Sequence, residues 1–205
     1  MKNSHIQNIE QAIKSLSQND KVIHSIIKKY EICNIQPHRN YFNALTKSII
    51  GQQLSIKSAN AIIKRFYSFY NNSPQPEIVI KTSHQQLRDL GLSNAKARYV
   101  RDLSEKIIEK KLNLKGISKK SSDEIIMELT KVTGIGLWTS HMFLIFTLGR
   151  LNILPFSDLG IRKAIMLNYG FKNLPTNEEV INLAAKNKWT PYSSVAAWYL
   201  WRTLD

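Results

Sequence analysis

Hydrophobic side chains recur along the chain mostly at the spacing of a helix, and no stretch alternates convincingly between apolar and polar positions. This pattern is typical of amphipathic helices rather than strands, so it predicts an all-α protein. We expect roughly ten short helices, over residues 5–17, 20–31, 40–53, 55–70, 83–89, 93–111, 121–131, 136–148, 158–169, 177–188 and 192–204.

Polar residues mark several of the predicted helix starts. Ser121 with Glu124, and Thr176 with Glu179, have the spacing of a capping box, in which two side chains satisfy each other's free backbone N–H groups. Ser55 precedes another helix and has the side chain of an N-cap. No long low-complexity linker divides the chain.

The charge balance indicates a class of partner. Lys and Arg total 29 against 15 Asp and Glu, a formal net charge of +14 at pH 7. A positive field favours polyanions, nucleic acid first, although a lysine-rich solubility surface would have the same count. No stretch combines a basic face with an exposed Trp, Phe or Leu face, so we expect no membrane partner.

Cysteine content and the N-terminal residues indicate a compartment. Cys33 is the only cysteine in the sequence, which excludes an intramolecular disulfide and fits a reducing environment. The N-terminal residues lack the apolar core of a secretory signal, and no apolar run could span a bilayer. We therefore expect a cytoplasmic protein.

Gly134 and Gly136 are separated by one apolar residue and lie between two apolar helices. Glycine allows a tight turn and close approach of another backbone. The helix that follows begins with unpaired N–H groups and a positive dipole end, which suits a DNA phosphate. The alternative is an ordinary turn between packed helices, and a lone pair of glycines would favour it.

Four segments together carry a family resemblance. Residues 132–140 (VTGIGLWTS) resemble the L-P-G-I-G-x-W-T-A hairpin of the helix–hairpin–helix DNA glycosylase superfamily, and residues 154–162 (LPFSDLGIR) resemble its catalytic segment. Residues 44–55 (ALTKSIIGQQLS) and 189–193 (WTPYS) are similar to two motifs of its 3-methyladenine glycosylase II-like branch, with Ser193 where arginine is usual. The matches occur in the family's order.

The resemblance implies a fold and an activity. It implies one helix–hairpin–helix glycosylase domain over residues 1–205, with a central lobe over about 40–150. Segments 1–39 and 151–205 would form a second packed lobe, with the active-site cleft between the two. The expected activity is base excision from damaged double-stranded DNA by a monomeric enzyme, through hydrolysis of the N-glycosidic bond of an alkylated purine such as 3-methyladenine or 7-methylguanine.

Asp158 corresponds to the position of the superfamily's catalytic aspartate. Cleavage of an N-glycosidic bond develops positive charge on the sugar, which a nearby carboxylate stabilises. The same group can orient or deprotonate a water molecule. Without the resemblance, the simpler interpretation is that Asp158 only caps the helix that follows it.

Two tryptophans are implied in the base pocket. Trp138 and Trp201 match aromatic positions that line it, and electron-rich rings attract a cationic alkylated purine. Both could instead be core residues. A family tyrosine in this pocket corresponds to Met142. Lyase members carry a nucleophilic lysine at the position of Trp138, so a monofunctional enzyme that uses water is expected.

The resemblance also implies DNA contacts. They would come from Gly134, Gly136 and Thr139 in the hairpin and from a turn that fills the gap left by a flipped base. That turn contains Gln52, Gln53 and Leu54, although the two glutamines could instead cap or bridge it. The backbone carbonyls of Thr130, Val132 and Ile135 match a structural monovalent-cation site.

No other cofactor is expected. One cysteine cannot ligate the four-cysteine iron–sulfur cluster of the endonuclease III branch. The five histidines show no zinc-ligand spacing, and the chain has no P-loop motif. Two alternatives stay open: a glycosylase for oxidised or deaminated bases on the same scaffold, and a non-enzymatic helix–hairpin–helix module that binds DNA.

Overall fold

The computed structural model describes residues 2–204, with side chains from Ser4 onward. This part of the chain contains helices and no strand, which confirms the predicted all-α class. The α-helices are α1 (Lys2–Asn19), α2 (Lys21–Ile27), α3 (Tyr41–Gly51), α4 (Ile56–Phe69), α5 (Pro76–Val79), α6 (His84–Asp89), α7 (Asn94–Ile108), α8 (Ser122–Leu129), α9 (Leu137–Met142), α10 (Leu159–Tyr169), α11 (Asn177–Lys186) and α12 (Ser193–Arg202).

The predicted caps are confirmed. In both predicted capping boxes the Ser121 or Thr176 side chain accepts from a backbone N–H, and the paired glutamate accepts in return. Ser55 caps α4 by accepting from the Ser58 N–H group. These contacts lie within one helical turn, which is why residue spacing alone predicts them.

Three elements differ from the sequence prediction. The helix expected over 20–31 ends at Ile27, and the short helix α5, with proline in its first turn, was not predicted. The helix expected over 136–148 consists of α9 followed by one π-helical turn, Phe143–Thr147. Hydrophobic periodicity does not distinguish the wider π turn from an α-helix, because both continue the same apolar face.

The chain divides into two compact units, each described by itself. Unit 1 comprises the described residues up to Pro37 together with those from Leu144 onward. It contains α1, α2, α10, α11 and α12, and α12 packs against α1, α2 and α10. Residues 193–200 of α12 are all buried, so this helix forms the centre of the core of unit 1.

Unit 2 comprises His38–Phe143 and contains α3 to α9. Helix α7 packs against α3, α5 and α6, and α8 packs against α9. Leu45, Phe66, Leu103 and Leu129 are fully buried in this unit. Helix α7 therefore lies at the centre of the unit, beside α3, which leads into the 52–54 turn.

Across the described residues, no helix combines the length and apolar character needed to cross a membrane.

Candidate active site

Asp158 is the N-cap of α10 in unit 1. Its backbone is extended, with φ −70° and ψ 125°, and its Oδ1 accepts a hydrogen bond of 2.8 Å from the Ile161 N–H group. The residue is 8 % exposed. The capping role considered from sequence is therefore real, and the cap holds the carboxylate at the positive end of the helix dipole.

Trp201 on α12 also binds this carboxylate. Its indole Nε1 donates to Asp158 Oδ1 over 2.9 Å, so both hydrogen bonds end on the same oxygen. The indole ring lies 5.6 Å, centroid to centroid, from the exposed ring of Phe146. Two donors from different helices thus fix the orientation of the Asp158 carboxyl group.

Gly160 permits this close approach. A Cβ atom at that position would lie 3.0 Å from Asp158 Oδ1 and 3.2 Å from both Cδ1 and Nε1 of Trp201. Sequence reasoning assigned no role to Gly160 or to Phe146. Gly160 lies inside the matched segment 154–162, so its position could have been noticed, whereas no local pattern identifies Phe146 as a neighbour of Trp201.

Replacement of Trp201 by phenylalanine separates two roles of the indole. Trp201→Phe keeps an aromatic ring beside Phe146 but removes the N–H donor to Asp158. A hydrogen bond to a charged group contributes about 1.5–3 kcal/mol, so we expect base release in single-turnover kinetics to slow by about 10- to 100-fold.

The matched control is Trp198→Phe, the same change on the same helix at a buried residue that packs on Tyr199. We expect the control to retain the rate of base release. An unchanged rate in Trp201→Phe would mean that the indole acts through its ring alone and that its bond to Asp158 has no part in the chemistry.

The hairpin lies in unit 2, between α8 and α9. Gly134 has φ +84°, and a Cβ atom there would lie 2.2 Å from the Tyr99 ring. Gly136 has φ −103°, and a Cβ atom there would meet nothing within 4 Å. Local conformation and packing therefore require glycine at position 134, whereas position 136 faces open space.

Helix α9 begins directly after the hairpin. Gly136 is its N-cap and has no side chain to satisfy the first N–H groups of the helix. Trp138 is 43 % exposed on this helix, and Met142 lies one turn further along it. Trp138 and Met142, the two residues of unit 2 predicted to line the base pocket, thus lie one helical turn apart on α9. Trp201, the third, contacts Asp158 in unit 1.

The 52–54 turn is joined to the hairpin. Gln52 donates from Nε2 to the Gly134 carbonyl over 2.8 Å and to Thr139 Oγ1 over 3.4 Å. Thr139 is buried, so its side chain lies behind the hairpin surface. Gln53 has φ +54° and is exposed, as is Leu54. The amide of Gln52 is therefore engaged within the protein, and Gln53 and Leu54 form the exposed tip.

The three carbonyls implied in a cation site also lie in this region. Thr130 is the C-cap of α8, where helix carbonyls lack intrahelical donors and carry the negative end of the dipole. The Val132 carbonyl accepts from the Ile135 N–H group over 3.0 Å and keeps a second lone pair. Uncharged carbonyl oxygens of this kind fit a hard monovalent cation. Between residues 2 and 204, no cluster of three His, Cys, Asp or Glu side chains could hold a metal ion.

Comparison with known proteins extends this picture. Residues 46–190 match the family described as "HhH-GPD superfamily base excision DNA repair protein". The "Alkylbase DNA glycosidase-like protein mag2" of Schizosaccharomyces pombe is 33% identical over 199 residues, covering 94% of this chain and 92% of the relative.

Two solved structures share the fold over most of both chains. The 3-methyladenine DNA glycosylase Mag1 of Schizosaccharomyces pombe, in complex with abasic DNA, superposes with a TM-score of 0.78 at 30% identity, covering 94% of this chain and 96% of that one. A DNA-3-methyladenine glycosidase from Bacillus halodurans has a TM-score of 0.81 at 30% identity, covering 94% and 88% of the two chains. The chain belongs to the HhH-GPD superfamily of base excision DNA repair proteins.

Proposed function

We propose that the protein is a monofunctional DNA glycosylase that releases alkylated purines, of the 3-methyladenine and 7-methylguanine type, and leaves an abasic site. The observation that carries the proposal is the Asp158 carboxylate, 8 % exposed and oriented by the Ile161 and Trp201 N–H groups in a chain of a base excision repair family. The names of the alkylbase relative and of the two 3-methyladenine glycosylase structures support the substrate class.

In this proposal Asp158 stabilises the charge that develops on the sugar. As the C1′–N bond breaks, its electron pair leaves with the base, which neutralises the cationic alkylated purine, and the sugar becomes oxocarbenium-like. A water oxygen then bonds to C1′, and its proton passes to the carboxylate or to solvent. Because the base leaves as a neutral molecule, the reaction needs no strong general acid.

We assign base recognition to Trp138, Trp201 and Met142. Each indole supplies an electron-rich face that attracts a cationic base. Met142 is a polarisable, adaptable side chain that fits irregular ring edges. Tryptophan at position 138 has no amine, so it forms no Schiff base with the abasic sugar, and base release without strand cleavage follows.

We assign the DNA contacts to the hairpin and the neighbouring turn. Gly136 and the first N–H groups of α9 would receive a backbone phosphate, supported by a monovalent cation on the carbonyls of Thr130, Val132 and Ile135. Gln53 and Leu54, which are exposed at the tip of the turn, would enter the duplex. Action as a monomer and a cytoplasmic location stay predictions from the sequence.

The test is base release from DNA treated with a methylating agent, with the released bases identified by mass spectrometry. We expect free 3-methyladenine and 7-methylguanine, and strand cleavage only after alkali opens the abasic site. Duplexes with oxidised or deaminated bases serve as parallel substrates. Release of those bases alone would establish the alternative glycosylase. Binding without release of any base would establish a DNA-binding module, and nicking without alkali would refute the monofunctional mechanism.

A further inference from the structure

Three side chains of α7 lie on one face of the helix and all contact the DNA-binding region proposed for unit 2. Lys96, Tyr99 and Asp102 follow one another at intervals of three residues, which places them on the same side of a helix. Each contacts a different part of the hairpin or of the 52–54 turn, which we call the insertion turn.

Lys96 holds the start of the insertion turn. Its Nζ donates to the Ile50 carbonyl over 2.8 Å and to the Gln52 carbonyl over 2.6 Å. These carbonyls lie at the C-terminal end of α3, where a cation is favoured by the helix dipole. Burial lowers the pKa of Lys96, which marks the ammonium group as partly withdrawn from water. Lys96 therefore fixes the position of the first residue of the turn.

Asp102 and Tyr99 hold the hairpin. Asp102 Oδ2 accepts from the Thr133 N–H group over 2.7 Å, while Oδ1 accepts from Lys106. Burial acts to raise the pKa of Asp102, but the bonds from Lys106 and Thr133 outweigh it and lower the pKa. The Tyr99 ring packs so closely on Gly134 that a Cβ there would lie 2.2 Å away.

Gln52 completes the arrangement because it belongs to the insertion turn and donates to the hairpin. Its backbone carbonyl is held by Lys96, and its side-chain amide binds the Gly134 carbonyl and Thr139 Oγ1. Beyond these tied groups, Gln53, Leu54 and Ile56 on one side and Gly136 and Leu137 on the other are exposed. Ile56 is 82 % exposed.

We propose that α7 and Gln52 hold the insertion turn and the hairpin as one preformed DNA-binding element, and that the Gln52 amide couples the phosphate contact of the hairpin to insertion of the turn into the duplex. This inference rests on the proposed function only in that the protein binds DNA containing a lesion. Gln52 is then a positioning residue, and the entropy of ordering two separate loops is not lost at each encounter with DNA.

The coupling is measured with a double-mutant cycle, in which the binding free energy of a double variant is compared with the sum of the effects of the two single substitutions. The probe is a duplex containing tetrahydrofuran, an abasic-site analogue, with the undamaged duplex in parallel, and affinity is read from fluorescence anisotropy. Leu54→Ala alters the tip of the turn, and Gly136→Ala alters the hairpin surface. If the two sites were independent, the fold-losses of affinity in the two single variants would multiply in the double variant. We expect the double variant to bind at least about five-fold more tightly than that product, because sites in contact couple.

The same cycle is then repeated with Gln52→Leu, which keeps the bulk of the side chain and removes the donor. We expect Gln52→Leu alone to weaken binding to the tetrahydrofuran duplex about ten-fold, and the two other changes to become multiplicative in its background. Gln52→Ser is a second variant that removes the amide without adding apolar surface, and its hydroxyl is too short to replace Nε2 at the hairpin, so it should behave alike. Gln85→Leu is the matched control, since the exposed Gln85 amide donates to Asp89 on its own helix.

Coupling that persists in both Gln52 variants, or wild-type affinity in both, would overturn the inference. So would a wild-type protein that binds the two duplexes equally well. These measurements need no base release. A protein that releases no base but shows the coupling would refute the proposed function alone, whereas base release with additive effects would refute this inference alone.

Discussion

Asp158→Asn is expected to slow release of methylated bases by about 100- to 1,000-fold, the effect of losing one preorganised electrostatic contact to a transition state. Asparagine retains an oxygen that can accept from the Ile161 and Trp201 N–H groups, because both bonds end on Oδ1. Asparagine is also as good an N-cap as aspartate. The fold and the affinity for DNA should therefore change little while the charge is lost.

The measurement is single-turnover base release from methylated DNA, together with anisotropy binding and thermal unfolding. Asp20→Asn is the matched control, since Asp20 is the buried N-cap of α2. Its Oδ2 accepts from Tyr169 Oη over 2.6 Å and from Trp189 Nε1 over 2.8 Å, so an amide NH₂ there would face two donors.

The two aspartates should thus give opposite results. We expect Asp20→Asn to lose about 1–3 kcal/mol of stability, the usual consequence of unsatisfied buried groups, and to retain base release while it is folded. Asp158→Asn should do the reverse. Full activity in Asp158→Asn would remove this carboxylate from the mechanism.

The second large effect concerns the two hairpin glycines, which look equivalent in sequence. Gly134→Ala is expected to destabilise unit 2 by about 2–4 kcal/mol, because alanine is strained in a left-handed conformation and its Cβ overpacks against a ring. The structural basis is a φ of +84° and a distance of 2.2 Å to Tyr99. Denaturant unfolding is the measurement.

Gly136→Ala should instead keep the fold and impair DNA binding. Its φ is −103°, and its Cβ would meet no protein atom within 4 Å, so the methyl group would project into the space proposed for a phosphate. We expect an affinity loss of about ten-fold or more, with less than about 1 kcal/mol of destabilisation from the poorer N-cap. Unchanged affinity in a folded Gly136→Ala variant would contradict the assignment of this surface to DNA.

Local features of the fold were predictable because their partners are close in sequence. The capping boxes at Ser121 and Thr176 and the cap at Ser55 join groups three residues apart. Helix ends were less predictable: the helix expected to reach residue 31 ends at Ile27, and a π turn follows α9. Periodicity identifies which face of a helix is apolar, and it is insensitive to where the hydrogen-bond ladder stops or shifts.

The sequence by itself determined the helical class, the hairpin glycines and the place of Asp158 at a helix start, since each depends on neighbouring residues. Only the tertiary structure decided what these groups touch. Trp201 reaches Asp158 across 43 positions of sequence, and Gln52 reaches Gly134 across 82. No periodic pattern encodes such pairs, because they arise when separate helices pack, and it is this packing that orients the carboxylate and ties the turn to the hairpin.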